Sequence, residues 1–452
     1  MLKILFLKLL IMPITLYSSY LQGLNTQIVE VEVHLSRGMP AFHIVGLGDA
    51  SIHEAKERVR SALINSGFSF PTNHKTINLA PADVKKQGPT FDLPIAIGLL
   101  IESKQISLKN INESFFVGEL ALNGSIKKAS GIIVITNFAK EKGFKRIYLP
   151  KENIAEAKII NGIEVFGVSN LKEFSKVIPL KSENKIENKK FVPSNKNLFD
   201  YDFSLIEGRK YAKRALEIAA AGGHHIIFDA PQDAENLTCN SFQTILPPLS
   251  FKEQLEISQI YSIANKLPKN SPLISKRPFR EVHHSASAIS IIGGGRHPRP
   301  GEISLAHRGI LFLDEIAEFP RNVLEVLRQP MESRKININR AAGSCTFPAA
   351  FQLIAAMNPC QCGFHKHPKK DCNCTEISRI NYQKRLSGPL RDRIDMKIQM
   401  QPRLKAFSIK FSDEEKSEAI RKRVMCAYQL QQERYKNENF YNNANLSLKA
   451  RK

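Results

Sequence analysis

A short apolar run that ends in two acids constrains the fold more than any other stretch of this sequence. Residues 310–313 read ILFL, and Asp314 and Glu315 follow at once. A run without polar alternation predicts a strand covered on both faces, as in a parallel sheet flanked by helices. Ligands of such sheets bind beyond the carboxyl ends of the strands. The run therefore predicts an α/β fold in which both acids lie at a ligand crevice.

The residues before this run follow the order of a nucleotide-binding domain. Helical spacing at 206–223 leads into a short apolar strand at 224–228, and a loop precedes the acid-tipped strand. This is the order of elements in P-loop domains. In that setting Asp314 would bind the magnesium ion of a nucleotide, and Glu315 would polarise an attacking water. For those six residues taken alone, a strand that stops at a solvated acidic turn is the alternative.

The first half of the chain predicts a separate domain. From residue 26 to about 178, strand-like runs alternate with helix-like runs, which is typical of a mixed α/β domain. Residues 179–202 are polar and rich in lysine, a composition that predicts a linker. Residues 1–25 are interpreted as an N-terminal extension, with Met12 as an alternative start, because the apolar opening lacks the small-residue cleavage site of a signal peptide.

Several long blocks of sequence carry a family resemblance. In the second half they are GGHH, SFQTILPPLS, RPFREVHHSAS, GGGRHPRPGEISLAHRGILFLDEIAEFPRNVLEVLRQPMESRKININRAAGSCTFPA, AAMNPCQCG and LSGPLRDRID. Together these blocks resemble the ComM/YifB family of magnesium-chelatase-like AAA+ ATPases. In the first half, VEVHLSRGMPAFHIVGL, HEAKERVRSALINSGFSFP and INLAPADVKKQGPTFDLPIAIGLL resemble the Lon-protease-like N-terminal domain of the same family.

The resemblance implies the domain organisation and the site. It places a Lon-like α/β domain at 26–178, a P-loop AAA+ α/β core at 203–402 and a partial helical lid at 403–452, whose helix is predicted to begin at a Ser412/Glu415 capping box. Asp314 and Glu315 become the Walker B pair. Asn358 becomes the sensor that orients the attacking water, and Arg393 the arginine finger that reaches a neighbouring subunit. The implied cofactors are ATP and Mg²⁺, and the implied assembly is a hexameric ring. Alone, Arg393 would be interpreted as a surface salt-bridge residue.

The phosphate loop departs from the family pattern. Relatives carry G-x-x-G-x-G-K-[ST], whose backbone N–H groups and lysine hold the phosphates. The matching residues 229–236 contain no glycine, and Glu235 or Asn236 takes the lysine position, depending on the flank used for counting. A carboxylate there would repel phosphate, so weak ATP binding is predicted. A slip of the reading frame and genuine evolution to a pseudo-ATPase are the two explanations. The degenerate positions are Asp229, Ala230, Ala234, Glu235 and Asn236.

Four of the seven cysteines crowd into an insertion at 360–374 with the spacing C-x-C-x9-C-x-C. Four thiolates in a short loop suit tetrahedral Zn²⁺. The alternatives are four free thiols in a polar loop, or His365 or His367 in place of one ligand. Cysteines of this kind indicate a reducing compartment, hence the cytoplasm, and no later segment is apolar enough to span a membrane. The proposed ligands are Cys360, Cys362, Cys372 and Cys374.

The charge balance favours a polyanionic partner. Lysine and arginine number 65 against 43 acids, which gives a formal charge of +22. DNA is the expected partner, although an AT-rich genome would also enrich lysine. The family's insertions at 277–302 and 332–343 are expected to face the pore of the ring. Any one cation there is more often a solvated surface charge. The candidate DNA contacts are Arg280, His283, His284, Arg296, Lys335 and Arg340.

Three classes of function follow from these patterns. The resemblance favours a ring motor acting on DNA, with a branch-migration or helicase role in recombination of imported DNA. The degenerate loop favours a DNA- or partner-binding protein without nucleotide turnover. A Lon-like protease or chelatase-type remodeller would need Thr90 as nucleophile and Lys127 as base. Phe91 and Asp92 replace the small residues expected beside such a nucleophile, so a retired protease fold is favoured.

Overall fold

The computed structural model describes residues 13–82, 86, 88–175, 201–206, 209–229, 241–268, 271–295, 298–340, 343–367, 370–400, 414–436 and 442–445. The chain divides into two compact units. The first comprises Met1–Phe191 and Tyr261–Leu273, and the second comprises Val192–Ile260 and Ile274–Lys452. Among the described residues, no helix combines the length and the apolar character needed to cross a membrane.

The first unit is built around a seven-stranded mixed sheet. The described strands of the unit, seven of them in this sheet, are β1 (Ile14–Gln22), β2 (Asn25–Ser36), β3 (Ala41–Val45), β4 (His74–Ala80), β5 (Ser114–Phe116), β6 (Glu119–Leu120), β7 (Ile126–Lys127), β8 (Arg146–Pro150) and β9 (Glu164–Val168). Its helices are α1 (Ala50–Asn65), α2 (Asp92–Glu102), α3 (Ile132–Glu141) and α4 (Ile154–Ala157). The sheet order is β3-β4-β2-β1-β5-β8-β9, and β6 pairs separately with β7.

Helix α2 fills the core of the first unit. Its sequence DLPIAIGLLIE is apolar on nearly every side, and most of its residues are buried. Such a helix needs partners all round, and it packs against β1, β2 and α1. Gly98 permits the closest approach, because a Cβ at this position would lie 2.4 Å from Val33 Cγ2. The mixed α/β domain expected from alternating patterns is confirmed.

The expected N-terminal extension 1–25 is too long. Ile14–Gln22 forms β1, which pairs along its whole length with β2 in an antiparallel hairpin. Gly23 lies in the turn with a φ of 64°, a conformation that glycine adopts without steric cost. Reading the opening as one apolar leader hid the alternation of ITLYSSYLQ, which buries Leu16, Ser18 and Tyr20. Residues 1–12 and most of the expected linker lie outside the described residues.

The second unit is built around a five-stranded parallel sheet. The strands of this part are β10 (Ile226–Asp229), β11 (Phe279–Val282), β12 (Gly293–Gly294), β13 (Arg299–Pro300), β14 (Ile310–Leu313), β15 (Lys335–Arg340), β16 (Gly343–Pro348), β17 (Gln352–Met357) and β18 (Met396–Gln399). The helices are α5 (Lys210–Gly222), α6 (Phe251–Ile263), α7 (Ala288–Ile292), α8 (Glu302–Leu305), α9 (Arg321–Ser333), α10 (Glu376–Gln383), α11 (Gly388–Arg391) and α12 (Ser417–Arg434). The sheet order is β11-β14-β17-β10-β18.

All neighbouring strands of this sheet are parallel. Strands β10 and β14 are buried at every position, as their unbroken apolar runs predicted. The boundaries 203–402 predicted for the core did not anticipate that Tyr261–Leu273 belongs to the first unit. The sequence offered no sign of this division, because the helical pattern of α6 runs through it.

Helix α12 is the described part of the segment that was predicted to form a lid. It packs on α5, where Arg423 Nε donates to Glu217 Oε1 at 2.6 Å. The buried Ser417 hydroxyl accepts the backbone N–H of Phe203 at 2.9 Å. The helix begins at Ser417 with Lys416 at its N-cap, so Glu415 does not take the predicted capping position, and Ser412 lies outside the described residues. Glu415 instead accepts a 2.8 Å hydrogen bond from Arg423 and is used as an ion-pair partner rather than as a cap.

Candidate nucleotide site

The carboxyl ends of four parallel strands meet at one edge of the second unit's sheet. Val282 of β11 pairs with Leu313 of β14, which pairs with Ala355 of β17. Asp229 of β10 pairs with Met357 of β17. The residues that follow these strand ends therefore lie side by side. They are His283 and His284 after β11, Asp314 and Glu315 after β14, and Asn358 after β17.

The two acids after β14 occupy a tight turn. Asp314 Oδ1 accepts the backbone N–H of Glu315 at 2.9 Å, which fixes the direction of its carboxylate. Glu315 has a φ of 47°, in the left-handed region that non-glycine residues seldom occupy. Both residues are half-buried. The turn thus keeps two carboxylates at the edge of the sheet, where they remain accessible to a ligand.

A histidine contacts the outer acid. His284 Nδ1 lies 3.5 Å from Glu315 Oε2, and its ring lies against His283 with centroids 4.0 Å apart. His283 makes its own 2.8 Å hydrogen bond to the Ser285 hydroxyl. Both histidines were predicted as DNA contacts. The structure instead places His284 beside the residue predicted to polarise water, so it can position the Glu315 carboxylate.

The strand that precedes the degenerate phosphate loop ends in a carboxylate. Asp229 is buried, and its Oδ1 has no hydrogen-bond partner among the residues that the structure describes. Burial raises the pKa of this carboxyl group, and Lys397, whose Nζ lies 3.8 Å from Oδ2, opposes the shift. The other degenerate positions, Ala230, Ala234, Glu235 and Asn236, lie outside the described residues.

The two sides of the site differ in their fit to magnesium and ATP. Asp314 and Glu315 supply oxygen ligands of the kind that Mg²⁺ prefers, and Asn358 lies half-buried at the next strand end. From its sequence, the phosphate side is expected to fit ATP poorly. A buried carboxylate opens the loop at Asp229, and an acid or an amide stands where phosphate needs a lysine. The residues present therefore suit the metal better than the triphosphate.

The predicted arginine finger is held within its own unit. Arg393 follows α11, and its guanidinium contacts Glu332 of α9 at 2.6–2.7 Å. Both side chains are about half exposed, at 48% and 45%. A pair in this environment is weak, since solvent screens it. Arg393 can therefore leave Glu332 at little cost if a stronger anion is presented to it.

Two hairpins bring several of the predicted DNA contacts together. In the hairpin β12–β13, Arg299 pairs with Gly294, and in the hairpin β15–β16, Lys335 and Arg340 are exposed. A Cβ at Gly294 would lie 3.0 Å from Arg340 Nη2, so the two hairpins adjoin. The sequence reasoning missed Arg299, although its place between two prolines in RHPRPG marked a turn. These three exposed cations lie on the two adjoining hairpins, and we call them together the hairpin surface: Arg299, Lys335 and Arg340.

The remaining predicted DNA contacts have other surroundings. Arg280 Nε donates to Glu302 Oε2 at 2.5 Å, so its charge is balanced inside the unit. Arg280 is for that reason a poorer phosphate contact than the sequence indicated. Arg296 lies outside the described residues.

The protease-like motif of the first unit serves the fold. Phe91 is 1% exposed, and Asp92 is fully buried against Arg58. The carbonyl of Thr90 accepts the backbone N–H of Gly118 at 3.1 Å. Lys127 is exposed at the end of β7. The residues around Thr90 are therefore engaged in packing and hydrogen bonds, which agrees with a retired protease fold.

The four clustered cysteines lie directly beyond β17. Their sulfur atoms all lie within 4.8 Å of one another, so the structure gathers the predicted ligands into a single group. This group is a site that could hold one metal ion, and neither His365 nor His367 is part of it.

In the parallel sheet, one strand, β17, separates β14, which ends at Asp314 and Glu315, from β10, which precedes the predicted phosphate loop. This order defines the second unit as a P-loop module of the AAA+ type. Residues 202–408 match the family model described as "Magnesium chelatase, subunit ChlI", and residues 31–153 match "Subunit ChlI of Mg-chelatase". The "Uncharacterized protein YifB" of Escherichia coli is 39% identical over 411 residues, which cover 90% of this chain and 80% of that protein. The chain belongs to the YifB/ComM family of magnesium-chelatase-like proteins.

Two further relatives complete the comparison. The "Competence protein ComM" of Haemophilus influenzae is 39% identical over 438 residues, which cover 95% of this chain and 84% of that protein. "Lon protease 2" of Bacillus subtilis is 26% identical over 159 residues, or 32% of this chain and 28% of that protein. The fold class predicted from the sequence, a Lon-like α/β domain followed by a P-loop AAA+ domain, is confirmed.

Proposed function

We propose that this protein acts on DNA as a hexameric ring of AAA+ subunits, as the family resemblance implies. We propose that it does so in the cytoplasm, during recombination of imported DNA. The observation that carries the proposal is the hairpin surface, where Arg299, Lys335 and Arg340 are exposed on two adjoining hairpins. Exposed cations on glycine-rich turns suit contacts with a phosphate backbone, which need charge and close approach rather than base-specific geometry. The name of the competence relative supports the same assignment.

Nucleotide turnover is the second part of the proposal. Asp314 would hold Mg²⁺, Glu315 and Asn358 would position the attacking water, and Arg393 would complete a neighbouring subunit's site. The sequence of the degenerate loop predicts that this chain binds ATP weakly. A DNA- or partner-binding protein without turnover is therefore the second candidate, and the buried Asp229 carboxylate at the start of the loop favours it.

The protease alternative has weaker support. A catalytic hydroxyl needs a base within hydrogen-bonding distance and room for a substrate. Phe91 and Asp92 fill the space beside Thr90, and Asp92 is committed to Arg58. We therefore assign the first unit a structural or interaction role.

DNA binding can be tested through its dependence on salt. Fluorescence anisotropy with a labelled duplex should give an affinity that falls steeply with salt and depends little on sequence, because each neutralised phosphate releases about 0.9 counterions. The variant Lys335→Glu/Arg340→Glu should weaken binding and reduce the salt slope by about 2. The control variant Lys252→Glu/Lys384→Glu makes the same charge change at exposed positions outside the hairpin surface and should do much less. Equal losses of DNA affinity in both variants would show that binding depends on the net charge of the protein and not on the hairpin surface.

The two candidate functions differ in phosphate release. A ring motor should release phosphate faster when DNA is added, and Glu315→Gln should abolish the release while preserving DNA binding. A binding protein without turnover should show DNA binding and no DNA-stimulated release.

A further inference from the structure

We propose that Cys360, Cys362, Cys372 and Cys374 form a tetrathiolate site for one Zn²⁺ ion, and that this ion ties the sensor strand β17 to the start of helix α10. The proposal is independent of nucleotide turnover and of DNA binding, because it rests only on the geometry of the four thiols and on their place in the fold.

The sulfur positions match one tetrahedral ion. Cys360 Sγ lies 3.4 Å from Cys362 Sγ and 3.7 Å from Cys372 Sγ, and Cys362 Sγ lies 3.6 Å from Cys372 Sγ. A tetrahedron with metal–sulfur bonds of about 2.3 Å has edges of roughly 3.8 Å. The observed separations are close to this edge, so one ion at the centre would reach the thiolates with little movement.

The same distances argue against the other chemistry that cysteines support. Disulfide sulfurs lie about 2.05 Å apart, and the four cysteines are free thiols. An iron–sulfur cluster distributes its cysteine ligands over several irons, which spreads the sulfurs more widely than the 4.8 Å that contains this group. Mg²⁺ and Ca²⁺ prefer oxygen ligands. Four thiolates around a single ion are typical of structural zinc sites, and the metal analysis below separates zinc from a single iron.

The nearby histidines are engaged elsewhere. His365 Nδ1 lies 3.1 Å from Arg379 Nη1, and His367 Nδ1 accepts the backbone N–H of Lys370 at 3.0 Å. His365 contributes its backbone instead, since its N–H donates to Cys360 Sγ at 3.3 Å. Such a bond stabilises the negative charge of a metal-bound thiolate. The group of four sulfurs, which includes neither histidine, therefore favours four thiolates over three with a histidine.

The position of the four cysteines in the fold indicates what the bound ion would stabilise. Cys360 is fully buried two residues after Asn358, and Cys374 directly precedes Thr375. The Thr375 hydroxyl accepts the backbone N–H of Ser378 at 3.2 Å and so caps α10. One ion would fix both ends of the insertion, and hence the position of Asn358 relative to α10. A loop of polar residues has no apolar core that could hold these two ends in place. The bound metal ion would therefore stabilise the insertion.

Metal analysis tests the proposal on the full chain, purified in reducing buffer without chelator. Mass spectrometry of the elements should find about one zinc per chain. Cys360→Ser/Cys372→Ser should lose it, whereas Cys426→Ser should retain it, because Cys426 is an exposed thiol outside the cluster. A chain without zinc, a chain that carries iron instead, or a double variant with undiminished zinc would overturn the proposal.

Cobalt substitution keeps the test decisive if the double variant fails to fold. Co²⁺ added to the metal-free wild-type chain should give the visible bands and thiolate charge transfer of a tetrahedral four-sulfur site. Hydrogen exchange should also be slower with metal in the peptide that spans 358–376, and unchanged in a peptide of β14. A spectrum of octahedral Co²⁺, or equal exchange of the 358–376 peptide with and without metal, would contradict the proposal.

Discussion

Replacing Arg58 with leucine should loosen the first unit in a way that depends on pH. Arg58 Nε and Nη2 donate to the two oxygens of Asp92 at 2.8 and 3.0 Å, and Nη2 also donates to the Ser51 carbonyl at 2.8 Å. The Asp92 side chain is fully buried, and that of Arg58 is 19% exposed. The Leu120 N–H donates to Asp92 at 3.2 Å and remains in the variant. Arg58→Leu therefore leaves a buried carboxyl group with one of its three hydrogen bonds.

The magnitude follows from these bonds and from the titration of Asp92. The hydrogen bonds lost with Arg58 amount to about 2 kcal/mol, less than the roughly 3–5 kcal/mol for breaking a fully buried pair, because Arg58 is partly exposed. Burial raises the pKa of Asp92 to about 6, and the hydrogen bonds of Arg58 oppose the shift. A folded pKa above the unfolded value costs stability as the pH rises through it. Without Arg58 the folded pKa rises further, so the loss continues above pH 6 and adds about 1.4 kcal/mol by pH 7.

Hydrogen exchange measures this loss locally. Amides of α1 and α2 should exchange roughly 30-fold faster in Arg58→Leu at pH 5 and more than 100-fold faster at pH 7, after correction for intrinsic rates, because about 1.4 kcal/mol is a tenfold change. Arg146→Leu is the matched control, since Arg146 pairs with the half-exposed Glu164 and should cost about 1 kcal/mol or less at either pH. Equal losses at both pH values, or a change below about fivefold, would refute the assignment of Asp92 as a buried structural carboxylate.

Two further predictions concern the second unit. Isothermal titration calorimetry of the chain as written should show ATP binding weaker than micromolar, because Glu235 or Asn236 replaces the loop lysine, and a micromolar Kd would contradict this. His307 and Arg308 hold the pKa of Glu256 down to about 2, so its stabilisation is present above the unfolded pKa near 4.5 and is lost as the pH falls toward 2. Glu256→Gln should lower the melting temperature at pH 7 and reduce the loss of stability between pH 4.5 and 2. A variant that loses as much stability as the wild type between these pH values would contradict the role of Glu256.

The central strands could be predicted from the sequence because burial on both faces leaves a direct pattern. ILFL and HHIIF became β14 and β10, and the acids after ILFL marked the functional edge of the sheet. The hairpin β1–β2 was missed because half-buried strands near a chain end resemble an apolar leader. The division at Tyr261 was missed because a helix that crosses a boundary keeps one periodicity throughout.

The sequence predicted which residues lie at the candidate site more accurately than it predicted which residues contact one another. The sequence placed Asp314 and Glu315 at the end of a buried strand and grouped the four cysteines, and the structure has the same positions, while their roles stay predictions. It did not show that Arg280 is balanced by Glu302 or that His284 contacts Glu315, because both pairings join segments far apart along the chain. Arg299 escaped attention because its role depends on the neighbouring hairpin rather than on its own spacing.

The turn that carries Asp314 and Glu315 bears on how the phosphate loop became degenerate. Glu315 is held at a φ of 47°, a conformation that costs a non-glycine residue on the order of 1 kcal/mol or more and persists where the surroundings enforce it. Asp314 still accepts the hydrogen bond that supports this turn. We interpret an ordered acidic turn beside a single degenerate loop as the pattern that a local slip of the reading frame would leave, because gradual decay would alter both sides of the site. Resequencing the gene across residues 229–240 tests this interpretation against genuine evolution to a pseudo-ATPase.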